Sequence, residues 1–188
     1  MIAGIILAAG DSRRMGSPKA LLDFRGETFA ERLVRIFSKY CDPVVVVAGR
    51  HAEAIRARIA ATVVVNPDPD RGQLSSLQTA LERLPAELEA FLFTPVDCPT
   101  VEEATLAAIL QEFRSAAAPF VIPRFGGKRG HPVCAAGGLA VEFLAMPPTA
   151  ETRAVVNRHE SAIRYLDLAD AGVLADVDDP EAYRALTP

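Results

Sequence analysis

The chain has 188 residues, 50% of them hydrophobic and 23% charged, enough for one sizeable core and too few for two, so a single domain over residues 1–188 is expected. Its net charge of −4 argues against a nucleic-acid scaffold, and its longest apolar runs, GIILAAG and PVVVVAG, are far too short to span a bilayer. Cys41, Cys98 and Cys134 stand alone with no C-x-x-C spacing, which offers no metal cluster and fits a reduced cytoplasmic protein; the apolar N-terminus lacks the charged region and cleavage site of a signal peptide.

Short apolar runs alternate with helical patterns along the chain. Ile2–Leu7 reads as a strand, and Thr28–Tyr40 as a helix with Phe29, Leu33, Ile36, Phe37 and Tyr40 on one stripe. Pro43–Ala48 is a strand without polar alternation, as expected where both faces are covered. Ala52–Ala60 reads as a helix, Thr62–Val65 as a strand, NPDPDRG (Asn66–Gly72) as a turn, and Leu74–Leu84 as a helix. Ala90–Thr94 reads as a strand and Val101–Ser115 as a helix. Phe120–Pro123 and Val133–Ala136 are candidate short strands around GGKRG. Gly138–Met146 and Thr152–Arg158 read as helical and Ala162–Leu168 as a strand. Asp179 before Pro180 is an N-cap with proline at the first helical position, opening a helix over Pro180–Leu186. Such alternation predicts an α/β fold: one three-layer Rossmann-like domain, its sheet mostly parallel with helices on both faces. Ligands in such sheets sit beyond the carboxyl ends of strands, at the switch point.

Charge is unevenly placed. No acid occurs from Ser12 to Leu22, which holds Arg13, Arg14 and Lys19, nor from Phe113 to Val141, which holds Arg114, Arg124, Lys128 and Arg129. Two acid-free basic segments in an acidic protein are either solvated loops or the walls of an anion site. The first follows the opening strand, where a phosphate cradle belongs. Its spacing is not that of a Walker A loop, because Gly10 is followed by Gly16, Ser17, Pro18 and Lys19, and it holds no G-x-G-x-x-G fingerprint. Glycine still lets backbone N–H groups approach a phosphate, and Lys and Arg neutralise charge that builds up during reaction.

This loop, with Leu7, Ala8, Ala9, Gly10, Ser12, Arg14, Met15, Gly16, Pro18 and Lys19, resembles the signature L-A-A-G-x-S-x-R-M-G-x-P-K of the molybdenum cofactor nucleotidyltransferases. GQLSSLQTAL (Gly72–Leu81), TPVDCP (Thr94–Pro99), GGKRGHPV (Gly126–Val133) and LADVDDPEAY (Leu174–Tyr183) are similar to further elements of that family, so the likeness runs from Leu7 to about Tyr183. In the tail, Asp179 replaces the usual Thr and Ala182 the usual Asp.

The resemblance implies transfer of a nucleotidyl group from a nucleoside triphosphate to a phosphorylated acceptor, with Mg²⁺ as cofactor. Backbone at Leu7–Gly10, together with Gly72 and Ser76, would hold base and phosphates, and Arg14 and Lys19 the triphosphate. Asp97 would bind metal with Asp178, or Asp176 in its place. Lys128, Arg129, Gly130 and His131 would face the acceptor, so Lys19, Arg14 and Asp97 are the expected catalytic residues. The acid-free segments, on this reading, surround a nucleoside triphosphate and an acceptor phosphate. Ala8–Ala9 and RGHPV resemble the branch that uses CTP and molybdopterin cofactor, with a molybdoenzyme as a further partner. Rivals are a guanylyltransferase, transfer to a sugar phosphate, and a nucleotide-binding chaperone without turnover.

Several residues have plainer readings. Asp97 suits capping of the helix near Val101, one of Asp178 and Asp179 suits capping the last helix, and Ser75 and Ser76 suit a helix start. His131 reads as positioning or structural, because an acceptor phosphate is already ionised and needs no base. Cys98 has no nearby histidine in sequence, and the reaction needs no covalent intermediate.

Overall fold

A computed structural model describes residues 1–12 and 15–186 of the chain. The first strand, β1 (Ile2–Ala8), leads through the glycine loop and a 3₁₀ turn at Lys19–Leu21 into a small hairpin of β2 (Asp23–Phe24) and β3 (Glu27–Thr28). Helix α1 (Phe29–Phe37) follows directly, fixed by a capping box: Thr28 Oγ1 accepts from Glu31 N–H, and Glu31 Oε2 accepts from Thr28 N–H. Next come β4 (Val44–Ala48), α2 (Ala52–Arg56), β5 (Thr62–Val65), α3 (Gln73–Leu81), β6 (Ala90–Pro95) and α4 (Glu103–Ala116). The remainder is β7 (Phe120–Phe125), β8 (Lys128–Arg129), β9 (Val133–Ala136), α5 (Ala140–Leu144), α6 (Arg153–Arg158), β10 (Ile163–Asp167) and α7 (Pro180–Leu186).

The strands assemble in the order β10-β7-β9-β6-β1-β4-β5, with β8 folded back on β7. β9 runs antiparallel between β6 and β7, and the other long pairs, β1 with β4 and β6, β4 with β5, and β7 with β10, are parallel. Along β1, Ile2 and Ile6 enter one core with Phe29, Leu33, Leu106 and Ile109. Ala3, Ile5 and Leu7 enter the other with Leu74, Leu77, Phe143 and Val155. Helices therefore cover both faces, α1 and α4 on one side and α3, α5 and α6 on the other, which gives the expected three layers. Phe143 stands edge-on to Phe91, Phe93 and Phe120 at centroid distances of 5.8, 6.0 and 6.2 Å, the arrangement aromatic quadrupoles prefer.

Several helices are shorter than the periodicity predicts, α1 ending at Phe37 rather than Tyr40 and α3 at Leu81 rather than Leu84. α2 stops at Arg56 rather than Ala60, since Ala52 and Ile55 are its buried residues and Ile59 packs against the core from beyond the helix. The Gly138–Met146 segment opens as a 3₁₀ turn at Gly137–Leu139 before α5 begins at Ala140. The chain steps outward from β1 to β4 and β5, then returns to lay β6 on the other side of β1. That reversal is the switch point, and it opens at the carboxyl ends of β1 and β6.

Candidate active site

Two sequence-distant segments meet at this opening. β6 ends at Pro95, and Val96 leads on to Asp97. From the C-terminal side, the tail at Asp176–Asp178 is tied down by Val177, whose N–H donates to the Asp97 carbonyl at 3.0 Å and whose side chain is buried in the core. With Val177 pointing inward, Asp176 and Asp178 flank it, and ligand oxygens of Asp97, Asp176 and Asp178 lie within 4.8 Å of one another.

Lys19 arrives from the third side. Its backbone N–H donates to Ser12 Oγ at 3.0 Å, and its ammonium lies 2.8 Å from Asp97 Oδ2 and 2.6 Å from Asp178 Oδ1. Burial opposes the Lys19 charge, but the hydrogen bonds to Asp178 and Asp97 outweigh it and hold its pKa above the ordinary value. Asp176 goes the opposite way for an acid: burial, and then the Asp97 and Asp178 charges, push its carboxyl up.

These side chains separate two cavities. The first, of about 220 Å³, is lined by Leu7, Ala8, Gly10, Ser12 and Lys19 of the opening segment, with His51 on the β4 side and Asp97 and Asp178 as its acidic wall. The second, of about 310 Å³, is lined by Cys98, Arg129, Gly130 and His131, with Asp176 behind and the same Asp97 and Asp178 in front. Gly130 N–H donates to the Pro123 carbonyl of β7, and His131 N–H ties the C-terminal segment through the Val173 carbonyl, both at 2.8 Å. A Cβ at Gly130 would lie 2.3 Å from the Val173 oxygen, so this contact requires glycine. The His131 ring is held neutral, because burial lowers its pKa more than nearby Asp97 raises it, and its Nδ1 is enclosed without a hydrogen-bond partner. Burial, with the charges of Asp97 and Asp176, pushes the Cys98 thiol up, which makes it a poor nucleophile.

The remaining predicted residues sit around this centre. Ala9 is buried under the loop. Gly72, with φ of +105°, opens α3 and lines a separate depression with Gln73 and Thr152. Ser76 is buried, and its hydroxyl accepts from Asn66 Nδ2 at 3.0 Å. Lys128 lies exposed in β8, paired with Phe125. Arg14, like Arg13, lies outside the described residues.

Two plainer readings resolve. Asp179, not Asp178, caps the last helix, its Oδ1 accepting from Glu181 and Ala182 N–H at 3.0 and 2.9 Å. Asp97 does not cap α4, whose N-cap residue is Glu102; the carboxylate at that helix start comes from Asp170, whose Oδ2 accepts from Glu102 N–H at 2.9 Å and from the Thr105 hydroxyl at 2.6 Å. His51 was not predicted, although its place just past the strand beside β1 was a usable signal.

The donor set is three hard carboxylates around a cationic ammonium, which suits a small divalent ion such as Mg²⁺ better than a soft metal. Carboxylates, a lysine and a glycine loop at the switch point of a mostly parallel sheet are the layout of a phosphate-handling α/β protein. The chain belongs to the family described as the MobA-like NTP transferase domain, which it matches over residues 4–163. The tail carboxylates lie beyond that stretch.

A probable molybdenum cofactor guanylyltransferase of Bacillus cytotoxicus is 34% identical over 57% of this chain and 55% of its own. The matched stretch thus spans about half of that relative. The molybdenum cofactor cytidylyltransferase of Escherichia coli is 25% identical over 95% of this chain and 92% of its own. A nicotine blue oxidoreductase of Paenarthrobacter nicotinovorans is 30% identical over 98% and 96%. Among solved structures, Rv0371c of Mycobacterium tuberculosis H37Rv superposes with a TM-score of 0.84 at 30% identity, covering 98% of this chain and 96% of that one. Among the described residues, no helix is long and apolar enough to cross a membrane.

Proposed function

We propose that the chain is a Mg²⁺-dependent nucleotidyltransferase that moves CMP from CTP to the phosphate of molybdopterin cofactor and releases pyrophosphate. The observation that carries this reading is that Asp97 and Asp178 line both cavities at once. A nucleotide in the first and an acceptor in the second would meet at one pair of carboxylates.

In the first cavity, backbone at Leu7–Gly10 receives the nucleotide, and Lys19 with Arg14 takes its phosphates. Gly72 and Ser76 do not line this cavity, so on this reading they would act on the nucleotide only through the position of α3. In the second, Arg129 with neighbouring Lys128 draws in the acceptor phosphate, and neutral His131 positions it beside Gly130. An acceptor oxygen attacks the α-phosphorus, the bond to the oxygen bridging to the β-phosphorus breaks, and pyrophosphate departs. The protein's work is to hold two polyanions together against their repulsion and to meet the charge gathering on pyrophosphate. Asp97 and Asp178 would hold Mg²⁺, which supplies positive charge to the phosphate oxygens. The product would pass to a molybdoenzyme.

Ala8–Ala9 and the RGHPV element support CTP over GTP, as does the match to the E. coli cytidylyltransferase along nearly all of both chains. The test is pyrophosphate release with Mg²⁺ and molybdopterin cofactor, offering CTP, GTP, ATP and UTP separately. Release with CTP alone is expected; release with GTP moves the assignment to guanylyl transfer. A redox role is the second reading, favoured by the full-length likeness to the Paenarthrobacter relative. No release with any nucleotide would turn attention there, or to another acceptor such as a sugar phosphate.

A further inference from the structure

We infer that Lys19 bars a bare divalent ion from the carboxylate site, so that the site takes its metal only as the metal–nucleoside triphosphate complex. This rests on the nucleotidyltransferase reading and deepens it. The ammonium lies within hydrogen-bonding distance of Asp97 and of Asp178, two of the three carboxylates whose oxygens converge within 4.8 Å. A dication in the same place would face a like charge where little water screens it, the Lys19 side chain being only 12% exposed.

The stem of Lys19 is pinned. Its N–H is bound to Ser12 Oγ, and it opens a 3₁₀ turn whose next residue, Ala20, is buried. The side-chain head can therefore swing while the backbone stays in place. A bare ion must drive the ammonium off two carboxylates with no anion arriving to receive it, which leaves a half-buried charge unpaired. The nucleotide complex brings that anion. As the metal takes the carboxylates, the ammonium turns to phosphate oxygens in the first cavity, which Lys19 lines with Gly10 and Ser12. Each charge exchanges one partner for another.

The test titrates Mn²⁺ alone into the full chain, reading the electron paramagnetic resonance of the free ion, for wild type, Lys19→Met, Lys19→Gln and Lys19→Arg. CTP binding is measured in parallel by equilibrium dialysis with and without Mn²⁺. Weak uptake of Mn²⁺ by wild type is expected, with uptake roughly tenfold tighter in either neutral variant and unchanged in Lys19→Arg, which keeps the cation. Wild-type CTP binding should strengthen when Mn²⁺ is present. Two neutral variants are used so that a folding failure in one does not remove the comparison. Equal Mn²⁺ affinity in wild type and the neutral variants overturns the inference and leaves the metal site standing. No Mn²⁺ uptake by any of the four proteins, with CTP binding indifferent to Mn²⁺, overturns both the inference and the metal-dependent reading.

Discussion

Asp170 holds three groups at once, and its sequence position announces only the nearest of them. Besides Glu102 N–H and the Thr105 hydroxyl, it accepts from Gly172 N–H at 2.7 Å, so one carboxylate starts α4 and anchors the turn that leads to the tail. Replacing it with alanine should cost about 2 kcal/mol in urea unfolding, from the lost carboxylate and the donors left without a partner. Asp97, by contrast, stands out in the sequence as a site candidate, since an aspartate between an apolar strand and a proline invites a metal role, and the structure brings it beside Asp176, Asp178 and Lys19. Asp97→Asn should lower pyrophosphate release by roughly 10²–10³-fold, as removal of other preorganised electrostatic groups does. Unchanged release would exclude Asp97 from the chemistry. Capping aspartates at helix starts are readable when cap and helix adjoin, as Asp179 and α7 do. They are unreadable when the carboxylate comes from 65 residues away, as with Asp170 and Thr105.

At the scale of elements, β1, β4 and the core of β6 follow directly from unbroken apolar runs, because strands covered on both faces carry no polar alternation, whereas β5 reads as an apolar run although it forms the sheet edge with Val65 45% exposed. Sequence could not specify that β9 would turn against its neighbours, a choice made by how the hairpin after β7 folds back. That hairpin also carries Gly130, the contact that seats the tail. Gly130→Ala would press a methyl into the Val173 carbonyl, and backbone must shift to relieve it. The expected loss is about 1–3 kcal/mol in thermal or urea unfolding, with lowered pyrophosphate release as Asp176 and Asp178 move away from Asp97. A variant with full stability and full turnover would show that the tail tolerates displacement.

At the scale of the molecule, the shifts of Lys19 and His131 act on opposite sides of neutral pH. Lys19 has a raised folded pKa, so its contribution is complete below the ordinary 10.5 and is lost as pH rises through the higher folded value. Above that point the unfolding free energies of wild type and Lys19→Met should converge. His131 has a lowered folded pKa, so its contribution is present above the ordinary 6.5 and lost as pH falls through the lower folded value. Between pH 7 and pH 5 wild type should lose more stability than His131→Asn, measured by urea unfolding at each pH. Parallel losses would mean that the ring is solvated in the folded state.

Lys19 and Asp178 are 159 residues apart in the chain and 2.6 Å apart in space. A ribosome making this protein lays down the loop first and Asp178 only 159 residues after Lys19. A growing chain can pair β1 with β4 well before that, yet the ammonium still lacks one of its two carboxylates. A polypeptide cut short between Asp97 and Asp178 would therefore keep β1, β4, β5 and β6 of its sheet while Lys19 had only one of its two carboxylate partners.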